Sequence, residues 1–241
     1  MIDNLEIIKI KVKELEKETA NKDNRIVKKL QEINECFLQN YMLQIDDLKI
    51  YPVEIESYYY SNFFKDEIVH QYHLQRDKEH LGKIYFHRYK NSNKINFCRG
   101  GFDICLSQNN FSNNKEGYCL SLLIRSAYIN KELICGINKL LIKMFNIKSK
   151  KNISKQIINE YERLENLEVL KKRDAVFCRG FVSHPRISGN KYFYEIDKYK
   201  NNQIVKYNLN TLVLDELKNL KNSFYTEIRK KDILQNKDLS I

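Results

Sequence analysis

The chain has 241 residues, with 42 Lys or Arg against 31 Asp or Glu, for a formal net charge of +11. A chain of this size buries enough surface to fold without disulfide or metal staples, and its 42% hydrophobic and 30% charged residues are those of a soluble globular protein. The longest apolar run, Ala175 to Cys178, excludes a membrane-spanning helix and a signal-peptide core, so a cytoplasmic location (cytosol or nucleoid) without membrane contact is expected.

The elements follow in chain order. Residues 1–25 are charge-rich, with a weak stripe at Leu5, Ile8, Val12 and Leu15, and read as a separate helix or a mobile arm. Ile26, Leu30, Ile33, Phe37 and Tyr41 recur at three- and four-residue steps, which predicts a helix with one apolar face. From Lys49 the period becomes two, which predicts a strand entering the aromatic run Tyr58-Tyr59-Tyr60. Three β-prone runs follow, Ile84 to Phe86, Phe102 to Leu106 and Leu120 to Ile124. Between the first two lie a polar loop at Asn91-Ser92-Asn93-Lys94 and the pair Gly100-Gly101. Helical spacing returns over residues 137–146 and 153–170, the latter with a stripe of Ile153, Ile157, Tyr161, Leu164 and Leu167. Val176 to Val182 and Tyr192 to Ile196 read as strands around a turn from Pro185 to Gly189. Leu214, Leu217 and Leu220 read as a last helix before a charged tail, within a C-terminal piece of residues 206–241. Without repeats or a flexible linker, residues 26–205 form one mixed domain with helical additions at both ends.

The positive charge suits a polyanionic partner, because Lys and Arg release counterions from nucleic acid. Abundant Lys and Asn beside scarce Gly and Pro also fit biased codon usage, so charge alone leaves the partner open. The six cysteines form no C-x-x-C pair, which predicts free buried thiols rather than a zinc site. His73, His80 and His87 fall at seven-residue steps, but strand-like sequence before His87 breaks the helical register, and no metal is expected. Glu54 and Glu56 lie two apart on a strand and therefore share a face. Buried, such a pair repels, and one member is a candidate general base; exposed, it is a solvated strand face. The tyrosines and histidines from Tyr58 to Tyr89 suit either core packing or a pocket that stacks on a nucleobase.

The order of several short motifs is more specific than any one of them. Val53-Glu54-Ile55-Glu56-Ser57-Tyr58 resembles the V-E-T-E-A-Y strand of the alkyladenine (3-methyladenine) DNA glycosylase family. Asp66-Glu67-Ile68-Val69-His70 resembles its D-E-A-A-H, and Gly82 to His87 its G-T-L-Y-V-Y. Gly101 to Ser107 resembles its G-M-Y-F-C-M-N, Leu122 to Ala127 its V-L-L-R-A-L, and Glu132 to Leu140 its E-L-C-S-G-P-S-K-L. The likeness covers residues 49–140, with a weaker echo from Pro185 to Tyr194.

This resemblance implies an α+β fold, a single domain with a curved, mostly antiparallel sheet flanked by helices, to which the periodicity adds extra helices at both termini. It implies a monofunctional glycosylase acting as a monomer on double-stranded DNA containing damaged purines, without cofactor or metal. Glu56 matches the general base that activates water. Arg125 matches the basic residue that holds the water. Tyr58, His70, His87, Tyr85 and Ser107 fall in the base pocket, with His87 where the family has a second stacking Tyr. Lys139 falls on the DNA-facing helix start. Ser107 replaces an Asn that rejects guanine, and Gly100 replaces the Tyr that wedges into the duplex. The loop from Tyr89 to Arg99 is longer than the family's turn, leaving Tyr89, Phe97 or Arg99 to supply a wedge. Lys148 to Lys151 and Lys171-Lys172-Arg173 are candidate phosphate contacts, or solvated surface. The alternative is a catalytically weak or inactive nucleic-acid-binding module on the same scaffold.

Overall fold

A computed structural model describes residues 5–18, 23–61, 63–66, 69, 81–91, 94–107, 118–146, 153–174, 180–184 and 209–213; of residues 88–91, 94–100, 153–154, 182, 184 and 210 it describes the backbone alone. The protein is α+β: among the described residues, four helices lie around a curled antiparallel sheet, with every named strand pairing antiparallel.

Helices α1 (Glu6–Glu16) and α2 (Asp23–Asn40) come first. The weak N-terminal stripe is a real packing face: Ile8, Val12 and Leu15 are buried, the backbone N–H of Ile8 donates to the Tyr41 hydroxyl at 3.2 Å, and Lys29 of α2 donates to Glu14 at 3.0 Å. Residues 6–16 are therefore a docked helix and not an arm. In α2 the stripe of Ile26, Leu30, Ile33 and Phe37 is buried as the spacing predicts.

Strands β1 (Tyr41–Ile45) and β2 (Leu48–Tyr60) follow directly, so Tyr41 begins a strand rather than closing the helix. β3 (Ile84–Asn91) and β4 (Lys94–Cys105) form a hairpin, then come β5 (Cys119–Ile129) and β6 (Glu132–Cys135). Helices α3 (Ile137–Met144) and α4 (Ile153–Asn166) lead to the short β7 (Leu170–Lys172), β8 (Phe181–His184) and β9 (Asn210–Val213). The strand order is β3-β4-β5-β2-β1-β7, with β6 on β5, β9 on β2 and β8 on β9.

Several sequence expectations are corrected here. The segment from Tyr89 to Arg99 is not a loop. Tyr89 pairs with Asn96 and Asn91 with Lys94, so the strands run up to a two-residue connection. Helix α4, expected to run to residue 170, stops at Asn166; residues 167–169 are neither helix nor strand, and Leu170 begins β7. The first four residues of the motif from Glu132 to Leu140 are strand. The C-terminal piece expected as helix and tail contributes β9 to the sheet, where Leu209, Leu212 and Val213 are fully buried. The expected helix at Leu214–Leu220, the strands at 176–179 and 192–196 and the turn at 185–189 lie outside the described residues.

The sheet has two faces, because paired residues on neighbouring strands point the same way. Ser57, Leu122, Ile104 and Ile84 form one row across β2, β5, β4 and β3, next to Phe102 and Phe86. This is the core face. It receives α2 through a bond from Asn34 Nδ2 to Ser57 Oγ (3.3 Å), and α4 through Glu165, which accepts from the Phe86 N–H (3.0 Å). The opposite face carries the row Glu56, Leu123, Asp103 and Tyr85. Gly101 lets β4 approach its neighbours: at φ 99° a Cβ there would stand 3.0 Å from Leu123 Cδ1 and 3.2 Å from Ile137 Cβ.

Candidate active site

The second face holds the polar side chains. Glu54, Glu56 and Tyr58 alternate along β2 and so point together, as the two-residue spacing predicts. Opposite them the β2–β5 pairing slips twice: Pro52 faces Ala127, Glu54 faces Ser126, and Ile55 faces Ile124. Arg125 is the unpaired extra residue of the β5 bulge. A bulge sets two successive side chains toward one face, and here both reach the carboxylates. Ser126 Oγ donates to Glu54 Oε2 at 2.7 Å, and Arg125 Nη1 donates to Glu56 Oε2 at 3.2 Å. Arg125 Nε also lies 3.9 Å from Glu54 Oε1, so one guanidinium serves two acids. The Tyr58 hydroxyl donates to Glu56 Oε2 at 3.0 Å.

The pair is graded toward solvent. Glu56 is fully buried, while the Arg125 side chain keeps 14% of its surface exposed. Burial of the guanidinium works against its charge, but Glu56, Glu54 and Tyr58 outweigh it and hold the Arg125 pKa above its ordinary value. Arg125 is a fixed cation, and the carboxylates are set around it.

One strand further across the same face lies a second polar group. His87 Nε2 is 2.9 Å from Asp103 Oδ1, and Ser121 Oγ donates to Asp103 Oδ2 at 2.9 Å. Ser121 is the cross-strand partner of Tyr58, so this cluster adjoins the Glu56 cluster with Leu123 between them. The Tyr85 ring stands 6.2 Å from that of His87. Below them Cys119 is buried; burial foremost, and then the charges of Asp103 and Asp66, push its thiol well above the usual range, so it is an inert packing group. Tyr58, Val69, Cys119 and Leu123, with Tyr60 and Ile137, form a small apolar cluster that lines this face.

The structure thus brings together Glu56, Arg125, Tyr58, Tyr85 and His87. Ser107 is fully buried and is occupied with the β5 backbone, accepting from the Leu120 N–H at 2.9 Å and donating to its carbonyl at 3.4 Å. Lys139 is exposed on α3, two residues beyond Ile137 of the apolar cluster. His70 lies outside the described residues. Tyr89, Phe97 and Arg99 sit on the β3–β4 ribbon, and their side chains are likewise outside them. Of the basic runs, 148–151 is outside, and Arg173 is no surface contact: it is buried, donating to the carbonyl of Leu38 near the end of α2 and to that of Pro52 in β2.

Sequence reading passed over Asp103, Ser121 and Ser126. A signal for Asp103 exists: a lone acid amid Phe102, Ile104, Cys105 and Leu106 marks a strand whose second face is not simply apolar. Among the described residues no group of three His, Cys, Asp or Glu is placed to hold a metal ion, and no helix is long and apolar enough to cross a membrane. No known family model matches the chain, and no curated protein matches it.

Proposed function

We propose that the protein is a monofunctional DNA glycosylase that hydrolyses the N-glycosidic bond of a flipped-out alkylated or deaminated purine and leaves an abasic site. The observation that carries this reading is the convergence of Glu56, Arg125 and Tyr58 on one face of the sheet. A carboxylate there does two jobs: it takes the proton as water oxygen bonds to C1′, and it stabilises the positive charge that grows on the sugar as the C1′–N bond breaks. The bonding pair leaves with the purine. Arg125, partly open to solvent, fixes the carboxylate and orients the water. Tyr58 and His87, which keep a little surface open, would flank the extruded base, with the buried Tyr85 ring 6.2 Å from that of His87, and Lys139 would supply a phosphate contact. Flipping costs a few kcal/mol, least for damaged and weakly paired bases, which favours lesions over normal purines. The protein would work as a cytoplasmic monomer on double-stranded DNA, without metal or cofactor.

The test is a lesion panel. Duplexes with one hypoxanthine or one ethenoadenine are incubated with the protein, and abasic sites are read as strand breaks after hot alkali. The wild type should give breaks, and Glu56→Gln at least about a hundredfold fewer. If no lesion is cut faster than by the variant, the reading falls.

The complete burial of Glu56 favours a second reading, a nucleic-acid-binding module in which the Glu56–Arg125 pair only shapes the sheet. That module would bind DNA with steep salt dependence, equally well with and without the Glu56 carboxylate.

A further inference from the structure

The end of β2 presents an aromatic side chain outward. Phe63 keeps 44% of its surface exposed and is the one exposed aromatic residue among the described residues. Its turn is tightly held. Ser61 Oγ accepts from the N–H groups of both Phe63 (3.3 Å) and Phe64 (3.1 Å), and the Ser61 N–H donates to the Phe64 carbonyl (2.9 Å). Phe64 is buried against Tyr59 at 5.8 Å, Tyr60 bridges to Lys65, and the buried Asp66 carboxylate accepts the Tyr59 N–H at 3.3 Å. Ser61 and Phe64 are therefore held, and with them the Phe63 N–H, so the ring is displayed at little further entropic cost. Lys65, two residues on, is also exposed. Phe63 lies in a bend three residues past the end of β2, the strand that carries Glu56.

From this we infer that Phe63 is a stacking platform for a nucleobase out of its helical stack, with Lys65 on the adjoining phosphate. A flat apolar ring beside a cation matches the two faces of a nucleotide, base and phosphate, and a chain of net charge +11 draws a polyanion to it. The inference rests on the nucleic-acid partner of the proposed function but not on its chemistry.

The experiment measures binding of the full chain to a fluorescent single-stranded oligonucleotide by anisotropy, across a salt series. Phe63→Ala should weaken binding about tenfold without changing the salt slope, Phe63→Tyr should restore it, and Phe63→Leu, apolar but not flat, should not. Lys65→Ala should lower the slope by about one. An oligonucleotide of abasic sugars should not distinguish Phe63→Ala from wild type. The inference is overturned if Phe63→Ala binds within twofold of wild type, if Leu restores binding as well as Tyr does, or if the wild type binds no nucleic acid. Loss of binding in Phe63→Ala together with an inactive wild type would keep this contact and reject the glycosidic chemistry.

Discussion

The two faces of the sheet are built from the same strands and obey different rules. On the core face Ile55, Leu122, Ile124, Phe102, Ile104 and Phe86 fill space against helices, and what matters there is volume. On the other face Glu54, Glu56 and Asp103 are as deeply buried as the core residues, and what matters is the balance of charge around Arg125 and His87. A fold gains nothing in stability from placing acids there rather than apolar residues of similar size. The contrast can be probed by three perturbations.

The largest effect on stability belongs to the site face. Arg125→Met removes the cation shared by two buried carboxylates and should cost about 3–5 kcal/mol in urea unfolding. Adding Glu54→Gln and Glu56→Gln to that variant should return much of the loss, because the cost is charge and not volume. If the triple variant is no more stable than Arg125→Met, the two faces do not differ in the way described.

The next concerns the one hydroxyl that Tyr59 brings to the core side. Burial, opposed by a hydrogen bond with Ser61, pushes its pKa up to about 12 from 10. The folded state thus holds the proton more tightly than the unfolded chain. This contribution is intact below pH 10 and is lost as pH rises toward 12, about 2–3 kcal/mol in all. Unfolding free energies measured across that range should fall more steeply for wild type than for Tyr59→Phe. Equal slopes would remove Tyr59 as the cause.

The smallest is a volume change alone. Ile104→Val should cost about 0.5–1.5 kcal/mol, with no dependence on pH or salt. A salt-dependent loss there would blur the distinction between the faces.

The parts of the fold legible in the sequence are those whose period is sustained: α2, β2, and the cores of β3, β4 and β5. β1 was hidden because Tyr41 extends the stripe of α2 by one more four-residue step, and only pairing with β2 and β7 turns the chain into a strand. β9 is four residues, too few to show a period of their own, and it pairs with the β2 edge at Glu54–Glu56. The same holds for the site. Glu54 and Glu56 are legible as a pair, since alternation alone puts them on one face. The reach of Arg125 depends on the β5 bulge, which leaves no mark in local sequence; Asp103 shows as a lone acid in an apolar strand, but its meeting with His87 and Ser121 depends on the register of three strands. Arg173 shows the converse: it belongs to a basic run that reads as surface, and Lys172 is exposed, yet Arg173 itself is buried and bonds the carbonyls of Leu38 and Pro52.

The central claim is that the Glu56 carboxylate does chemistry as well as balancing Arg125. The direct measurement is the single-turnover rate of hypoxanthine excision by wild type and Glu56→Gln, at a temperature where circular dichroism shows both folded. The account predicts a rate at least about a hundredfold lower in the variant. Equal rates from the two folded proteins, or excision by neither, would contradict it.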